Sequence, residues 1–529
     1  MSNTETAPVR TGRLGEVFKI AFPLIMSSGT FAFKLFCDRM MMAWYSENSI
    51  AAALSAGMTA YMLTSFFMGL ANYGNAFVAQ YSGAARHDRT GLAVWQSMLF
   101  SLAAGMLLAI VGTLTAHGFH DWIGHPAALA QEESAYYLIL CSGSVFSLLN
   151  SSIMCFWTGR NKTWTVVIVG FASIFLNVAG NWVLIFGAEG TPYLNQGPWP
   201  LPWIGDVLNG IAAWSGAPAM GVIGAGIATV ATDAVSVLAF LVLFLREGNR
   251  REYGTFPARI FDLKLMRRML RFGFGNGMQL FIDIAAFAIF NLIMAKYAVT
   301  ALGANVAAAS GVAISVNGIA FIPMLGLGAA ASILVGHGIG SRDIAFAKRA
   351  VKSARILIMS YMAVMCFLFE VKPDVLVSIF SPGDAMNEAT RALARNFLRF
   401  AGAFCLADGF FILYGNAIRG AGDTKFSMYV MAFSGWALFA IPCLVAFSLG
   451  AGYYVLWGIL VFSVFSSAGI FYWRYRQGKW QDMKVIEETG ASQRRRGAAS
   501  VRLSSPVVTE EAIITLPGDA MDGGDEDDD

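Results

Sequence analysis

Gly83-Ala84-Ala85-Arg86, at the end of one long apolar stretch, is answered 257 residues later by Gly340-Ser341-Arg342-Asp343, at the end of another. The same offset relates Gly69-Leu70 to Gly326-Leu327, and Ile50-Ala51-Ala52-Ala53 to Ala307-Ala308-Ala309-Ser310. No gap interrupts the match across these segments. A chain that repeats an apolar helical pattern in this way is two copies of one bundle. Such copies can meet around a central cavity and rock about it, as in secondary transporters, whose binding site lies between the repeats.

Composition places both copies in a membrane. Hydrophobic residues make up 56% of the 529 residues and charged residues 13%, against about a quarter charged in soluble domains. Mean hydropathy is +0.57. Apolar stretches of about 20 residues or more, enough for a hydrocarbon core of about 30 Å, recur along the chain. The polar start, Met1 to Thr11, has no signal-peptide pattern. Six cysteines (Cys37, Cys141, Cys155, Cys366, Cys405, Cys443) stand singly within apolar stretches and read as small packing residues, not as metal or redox pairs.

Twelve spans fit: 15–44, 49–81, 91–117, 132–159, 163–187, 220–245, 268–296, 304–337, 351–371, 390–418, 425–449 and 453–473. Positive charge falls on alternate connections, at Arg86 and Arg89, Arg160 and Lys162, Arg246 through Arg271, Arg342 through Arg355, Arg419 and Lys425, and Arg474 through Lys484. Connections 118–131 and 188–219 have no Lys or Arg. By the positive-inside rule the basic side is cytoplasmic and both termini lie there. Lys372, Arg391 and Arg395 are exceptions on the outer side. The expected organisation is a cytoplasmic N-terminus (1–14), a first lobe (15–245), a basic linker (246–267), a second lobe (268–475) and a cytoplasmic tail (476–529). The tail ends in Asp525–Asp529 and reads as a solvated acidic segment. The external loop 188–219, with Pro192, Pro198, Pro200, Pro202, Trp199, Trp203 and Trp214, reads as a divergent cap whose tryptophans suit a membrane interface.

A carboxylate at the bilayer centre costs roughly 2.5–3.5 kcal/mol on insertion scales, so each one asks for a reason. Four fall within spans: Asp38, Asp233, Asp283 and Asp408. Asn276, Gln279 and Asp283 share one helix face, extended by Asn291, and the stripe is expected to face a wet cavity. Asp408 lies eleven residues before Arg419, near mid-membrane, among Phe404, Phe410 and Phe411. Asp38 has Lys34 four residues earlier on the same face, a candidate ion-pair partner. Asn177, Asn181 and Thr229 could join Asp38 in a site for a hard cation or a proton. Asp233 reads equally as a seam or a site residue. His117, His120, Asp121 and His125 crowd one outer connection without metal-site spacing, and read as a solvated loop.

Ile418-Arg419-Gly420-Ala421-Gly422-Asp423-Thr424, after the tenth span, is similar to the RGxGDT signature of the multidrug and toxic compound extrusion (MATE) family, which the chain resembles over residues 14–475. Pro323-Met324-Leu325-Gly326-Leu327-Gly328-Ala329-Ala330 with Val335-Gly336-His337-Gly338-Ile339-Gly340 resembles the motif that ends the eighth span. Phe36-Cys37-Asp38-Arg39 sits where the family has its first-span aspartate. Phe274 to Asp283 is similar to the seventh-span motif of the NorM-like branch, with Asp283 for the usual Glu and Asn276 for the usual Pro. Asp408 matches that branch's tenth-span acid, and Asn177, Asn181 and Thr229 match polar positions of its first lobe. Lys34 and the loop 188–219 depart from the pattern.

The resemblance implies an all-α membrane protein of two pseudo-symmetric six-helix lobes that exchanges a cationic drug for Na⁺ or H⁺. Asp283, Asp408, Asp38, Asn177, Asn181 and Thr229 are its ion-coupling candidates, and Asn276, Gln279, Asn291 and Asp233 its cavity candidates. No cofactor beyond the coupling ion is expected. The expected partners are a cationic small molecule and the lipid bilayer, with no nucleic acid, for a monomer in a bacterial inner membrane. A lipid-linked saccharide flippase of the same superfamily is the alternative, but acids in the second half oppose a pyrophosphate ligand. An embedded enzyme would need a convergent nucleophile or metal set, for which the His117–His125 cluster is the only candidate.

Overall fold

The computed structural model describes residues 11–123, 127–190, 202–257, 260–297, 305–380 and 387–487. Twelve of its helices are long and apolar enough to cross a membrane. Spans 1 to 6 are Leu14–Tyr45, Asn48–Gly83, His87–Ala116, Leu129–Thr158, Trp164–Phe186 and Gly221–Phe244. Spans 7 to 12 are Leu263–Lys296, Val306–Ser341, Ile344–Val371, Glu388–Ala421, Thr424–Ser448 and Tyr453–Arg476. Helices are required here, because hydrocarbon offers no partner to an open backbone N–H or C=O. All twelve belong to one compact body that ends at Val485; a second, Ile486–Asp529, is described only at Ile486 and Glu487. The acidic tail therefore lies outside the described residues, as do the side chains of His117, His120, Asp121 and His125. All six cysteines are free, and all but Cys366 are buried.

The helices begin well before the hydropathy-based boundaries at spans 7 and 9, at Leu263 and Ile344 instead of 268 and 351. Both starts are rich in Lys and Arg, so the apolar signal fades while the helix continues past the bilayer. Each helix has an aspartate N-cap: Asp262 accepts from Lys264 N and Leu265 N, and Asp343 accepts from Phe346 N.

The repeat is visible in the backbone. Ala85 and Arg342, 257 residues apart, both take a left-handed φ, 55° and 63°. Non-glycine residues rarely do so, and the same turn is thus built twice. The offset is lost at span 6, since Gly221 and Tyr453 are only 232 residues apart. The inserted segment 188–219 accounts for the change, and it is not all loop. Pro202–Ser215 is a helix whose Leu208 and Ala212 are buried, and Asn209 Oδ1 accepts from Trp182 Nε1 at 2.9 Å. Trp203 and Trp214 on this helix are exposed, and residues 191–201 lie outside the described residues.

The linker between the halves is docked on the first one. Its helix Glu247–Tyr253 puts the Tyr253 ring 4.1 Å from the Arg160 guanidinium, and Trp95 Nε1 donates to Thr255 O at 2.8 Å. Arg89 pairs with Asp262 at 3.1 Å. Burial works the other way, but the Leu265 N–H and the Arg89 guanidinium hold the Asp262 carboxyl below the usual range.

Among the described residues, the hydrogen bonds that cross between the halves all lie toward the end with the basic loops. Asn276 Nδ2 donates to Gly69 O at 2.5 Å, and a Cβ on Gly69 would stand 2.8 Å from Gly277 Cα. Tyr73 Oη donates to Arg419 O at 3.1 Å, and Ser353 Oγ to Gly12 O at 2.8 Å. Gln80 and His337, again 257 residues apart, make crossed contacts. Gln80 Nε2 donates to Gly420 O at 3.1 Å, at the end of span 10, while His337 Nε2 bonds Gly159 O at 2.8 Å, just past span 4. A Cβ on Gly83 would stand 2.8 Å from His337 Cα, and one on Gly340 2.9 Å from the Gln80 carbonyl carbon. Glycine at these positions lets the two backbones touch.

Candidate functional site

Past this seam lies a cavity of about 430 Å³. Its wall brings together Asp283 of span 7 and Asp408 of span 10. Phe287, Phe321, Phe404, Phe411, Phe439, Met431 and Trp457 supply apolar lining, and Met58 and Tyr61 reach in from span 2 of the other half. The size suits a small organic molecule, and such pockets are typically apolar with a few placed polar groups. Asp283 is exposed although it sits within the bundle, because it opens into the cavity, whereas Asp408 is 7% exposed. Among the described residues neither carboxylate has a hydrogen-bond or ion-pair partner. The Arg419 charge acts on Asp283, and Asp283 acts in turn on Asp408. Two carboxylates in a cavity lined by aromatic side chains can hold a cation, either a small ion or an organic one.

Asp408 is fixed by span 10, the most enclosed of the twelve, where Gly409 admits Met359 and Ile358 of span 9 against the helix. The facing wall comes from span 11, which widens into a π-helix over Phe433–Ala440. Pro442 has no N–H, and its ring would clash with the carbonyl four residues back; the wider turn relieves this, with Ile441 N–H bonding Trp436 O. Ser434, Gly435 and Phe439 of the widened turn line the cavity.

The polar stripe of span 7 divides along its length. Only Asp283 reaches the cavity wall. Asn276 is held in the seam, where its Oδ1 also faces Arg419 Nη1 at 3.5 Å. Gln279 is 7% exposed and absent from the lining, and Asn291 Nδ2 donates to Phe287 O of its own helix at 3.0 Å. The common face is real, but its partner changes from backbone of the other half to open cavity within two turns.

In the first half, Asp38, Asn177, Asn181 and Thr229 come together. Asn181 Nδ2 donates to Asp38 Oδ1 and to Asn177 Oδ1, the latter at 3.2 Å. Thr229 Oγ1 lies 3.5 Å from Asp38 Oδ2 and 3.4 Å from Asn177 Nδ2. Asn177 and Asn181 are fully buried and Asp38 nearly so. Lys34 does not pair with Asp38, contrary to the local spacing. Its Nζ lies 3.1 Å from Asp233 Oδ1, and Ser147 Oγ donates to the other oxygen of Asp233. Asp233 is thus paired within the first half and does not line the cavity.

Three contributors to the site escape the sequence reading. Arg419 reads as a loop charge but bonds Asn276. Tyr61 carries no signal of its own. The π-turn could have been suspected from Pro442 inside an apolar span.

The MatE family model matches residues 23–183 and 280–464, thus both halves. The chain is 24% identical over 460 residues to a probable multidrug resistance protein NorM from Neisseria meningitidis serogroup B, covering 86% of this chain and 92% of that one. It is 24% identical over 429 residues to the multidrug resistance protein NorM of Vibrio cholerae serotype O1, covering 80% and 85%. Among solved structures, it is similar to an outward-facing multidrug resistance MATE transporter of the MOP superfamily, with TM-score 0.74, 16% identity, and 89% and 97% coverage. A MOP superfamily transporter from Pyrococcus furiosus, described as having a binding pocket of reverse polarity, superposes with TM-score 0.75, 16% identity, and 90% and 99% coverage.

Proposed function

The chain belongs to the MatE family, and from that premise we propose that it is a secondary antiporter that exports organic cations in exchange for Na⁺ or H⁺. The observation that supports this reading most directly is the pair of carboxylates without hydrogen-bond or ion-pair partners among the described residues, Asp283 and Asp408, on the wall of a Phe- and Met-lined cavity in the second half that Met58 and Tyr61 of the first half help to line. The multidrug resistance relatives point the same way. Soft, polarisable side chains accept varied shapes, while the acids select positive charge.

The mechanism follows from where the halves touch. The basic end is read as cytoplasmic, so the seam closes the cavity toward the cytoplasm and the conformation faces outward. A carboxylate cannot hold a proton or Na⁺ and attract a drug cation on the same oxygens at once. Ion binding from outside therefore displaces drug. Return to the inward state lets the ion leave and drug enter, because a ligand shifts a conformational equilibrium only by its differential affinity for the two states. The set of Asp38, Asn177, Asn181 and Thr229 is a second place for the coupling ion. The cavity is complete within one chain, as a monomer requires, and both termini face the cytoplasm of a bacterial inner membrane.

Competition is the direct test. Binding of a labelled organic cation to purified protein should weaken as Na⁺ rises at fixed pH and ionic strength, or as pH falls if H⁺ is the coupling ion. Drug affinity indifferent to both would exclude direct competition. Orientation has its own test. Cysteine placed at Ser215 and at Ser341, in a variant lacking native cysteines, should react with a membrane-impermeant thiol reagent from opposite sides. Labelling from one side would overturn the assignment of the basic end.

A further inference from the structure

Span 1 carries Lys34 and Asp38 one helical turn apart, and span 6 carries Thr229 and Asp233 at the same spacing. The two rows face each other in layers. Asp38 meets Thr229 in one layer, with Asn181 donating to the carboxylate, and Lys34 meets Asp233 in the next, with Ser147 of span 4 donating to the second oxygen. The side chains of Lys34 and Asp233 are only 14% and 15% exposed. Arg39, the remaining charge in the outer half of span 1, makes no ion pair with either acid among the described residues, and its charge acts on Tyr136 and on the adjacent Asp38 from a distance. Where spans 1 and 6 face each other, the two layers therefore hold two carboxylates and one tethered ammonium.

On the reading of this chain as a cation-coupled exporter, we propose that Lys34 is a built-in cation that fills the Asp233 position, so that the first half takes up one coupling ion per cycle instead of two. A buried carboxylate without a counter-charge is costly, so each must be matched by a cation or a proton. Lys34 matches Asp233 permanently and leaves Asp38 for the transported ion. The ammonium also stands within reach of Asp38, since residues four apart on a helix are neighbours and the lysine stem is long and flexible. Asp233 keeps it away by holding it one layer off.

The test is coupling stoichiometry in proteoliposomes of the full-length protein, read from the Na⁺ or H⁺ gradient that balances a fixed gradient of a fluorescent organic cation. Lys34→Met frees Asp233 and should raise the count by one ion per drug. Asp233→Asn releases Lys34 to Asp38 and should lower it by one. The double variant Lys34→Met/Asp233→Asn should return to the wild-type count, which a merely structural ion pair does not predict together with opposite shifts in the singles. Either single variant with unchanged stoichiometry overturns the proposal, and the opposite expected shifts keep it testable if one variant fails to insert. Wild-type flux blind to both gradients would instead sink the antiport reading itself.

Discussion

Asp408→Asn should reduce export of cationic drugs to the background of cells lacking the protein, with the protein still present in the membrane. The substitution removes a charge and almost no volume, so packing of span 10 against Met359 and Ile358 is retained. What is lost is the attraction of a carboxylate that no neighbour among the described residues neutralises. Interactions with a charged group are worth about 1.5–3 kcal/mol, or about one to two orders of magnitude in affinity, and here the ion and the drug both lose it. Coupling then fails along with binding. Asp283→Asn should act in the same direction but less severely, because Arg419 already offsets part of that charge. Asp283→Glu should be the better tolerated of the two changes at that position. The check is drug accumulation in cells at matched membrane levels. Wild-type efflux by the Asp408→Asn protein would remove that residue from the mechanism.

Gly69→Val should be nearly as damaging, for a mechanical reason. The new Cβ would stand 2.8 Å from Gly277 Cα and 3.0 Å from Asn276 O. Both are backbone atoms of the other half, and neither can rotate away. Normal carbon contacts need about 3.5–4 Å, so the seam must part and the Asn276 bond to Gly69 O is lost. Overpacking of this kind costs about 1–3 kcal/mol, and at the upper end it moves a two-state equilibrium by about two orders of magnitude. The cost falls only on the state in which the halves touch here. Efflux should drop accordingly, while a cysteine at Gln80 or Ala421 should become more reactive from the basic side. Unchanged efflux and unchanged reactivity would mean that the seam is not a gate.

The sequence makes the scaffold legible and the contacts much less so. Hydropathy and alternating charge define twelve spans because both depend only on what a segment meets in the bilayer or at its rim. The repeat survives because Gly83 and Gly340 answer one steric demand twice. Helical spacing puts Asn276, Gln279 and Asp283 on one face correctly, yet it gives an angle and not the object opposite each height. Only the assembled halves reveal that Asn276 meets backbone and Asp283 meets a cavity. Lys34 and Asp38 illustrate the same limit, since spacing of four residues identifies a possible partner and Asp233, 199 residues away, is the actual one. The chemistry of Asp38, Asn177, Asn181 and Thr229 suggests a shared site, but that they meet is not legible in the sequence, because these residues come from three helices whose neighbourhood no periodicity encodes.

The crossed contacts of Gln80 and His337 have a symmetry. Position 80 of one copy touches the glycine that answers position 83 in the other, and the reverse contact is also made. Contacts in which i meets j and j meets i are those of an isologous two-fold dimer. The closed seam thus has the form of a two-fold interface between two like half-length units. Self-complementarity explains why glycine stands on both sides of it. The two halves differ elsewhere, in an acid-lined cavity in the second and an internal ion pair in the first.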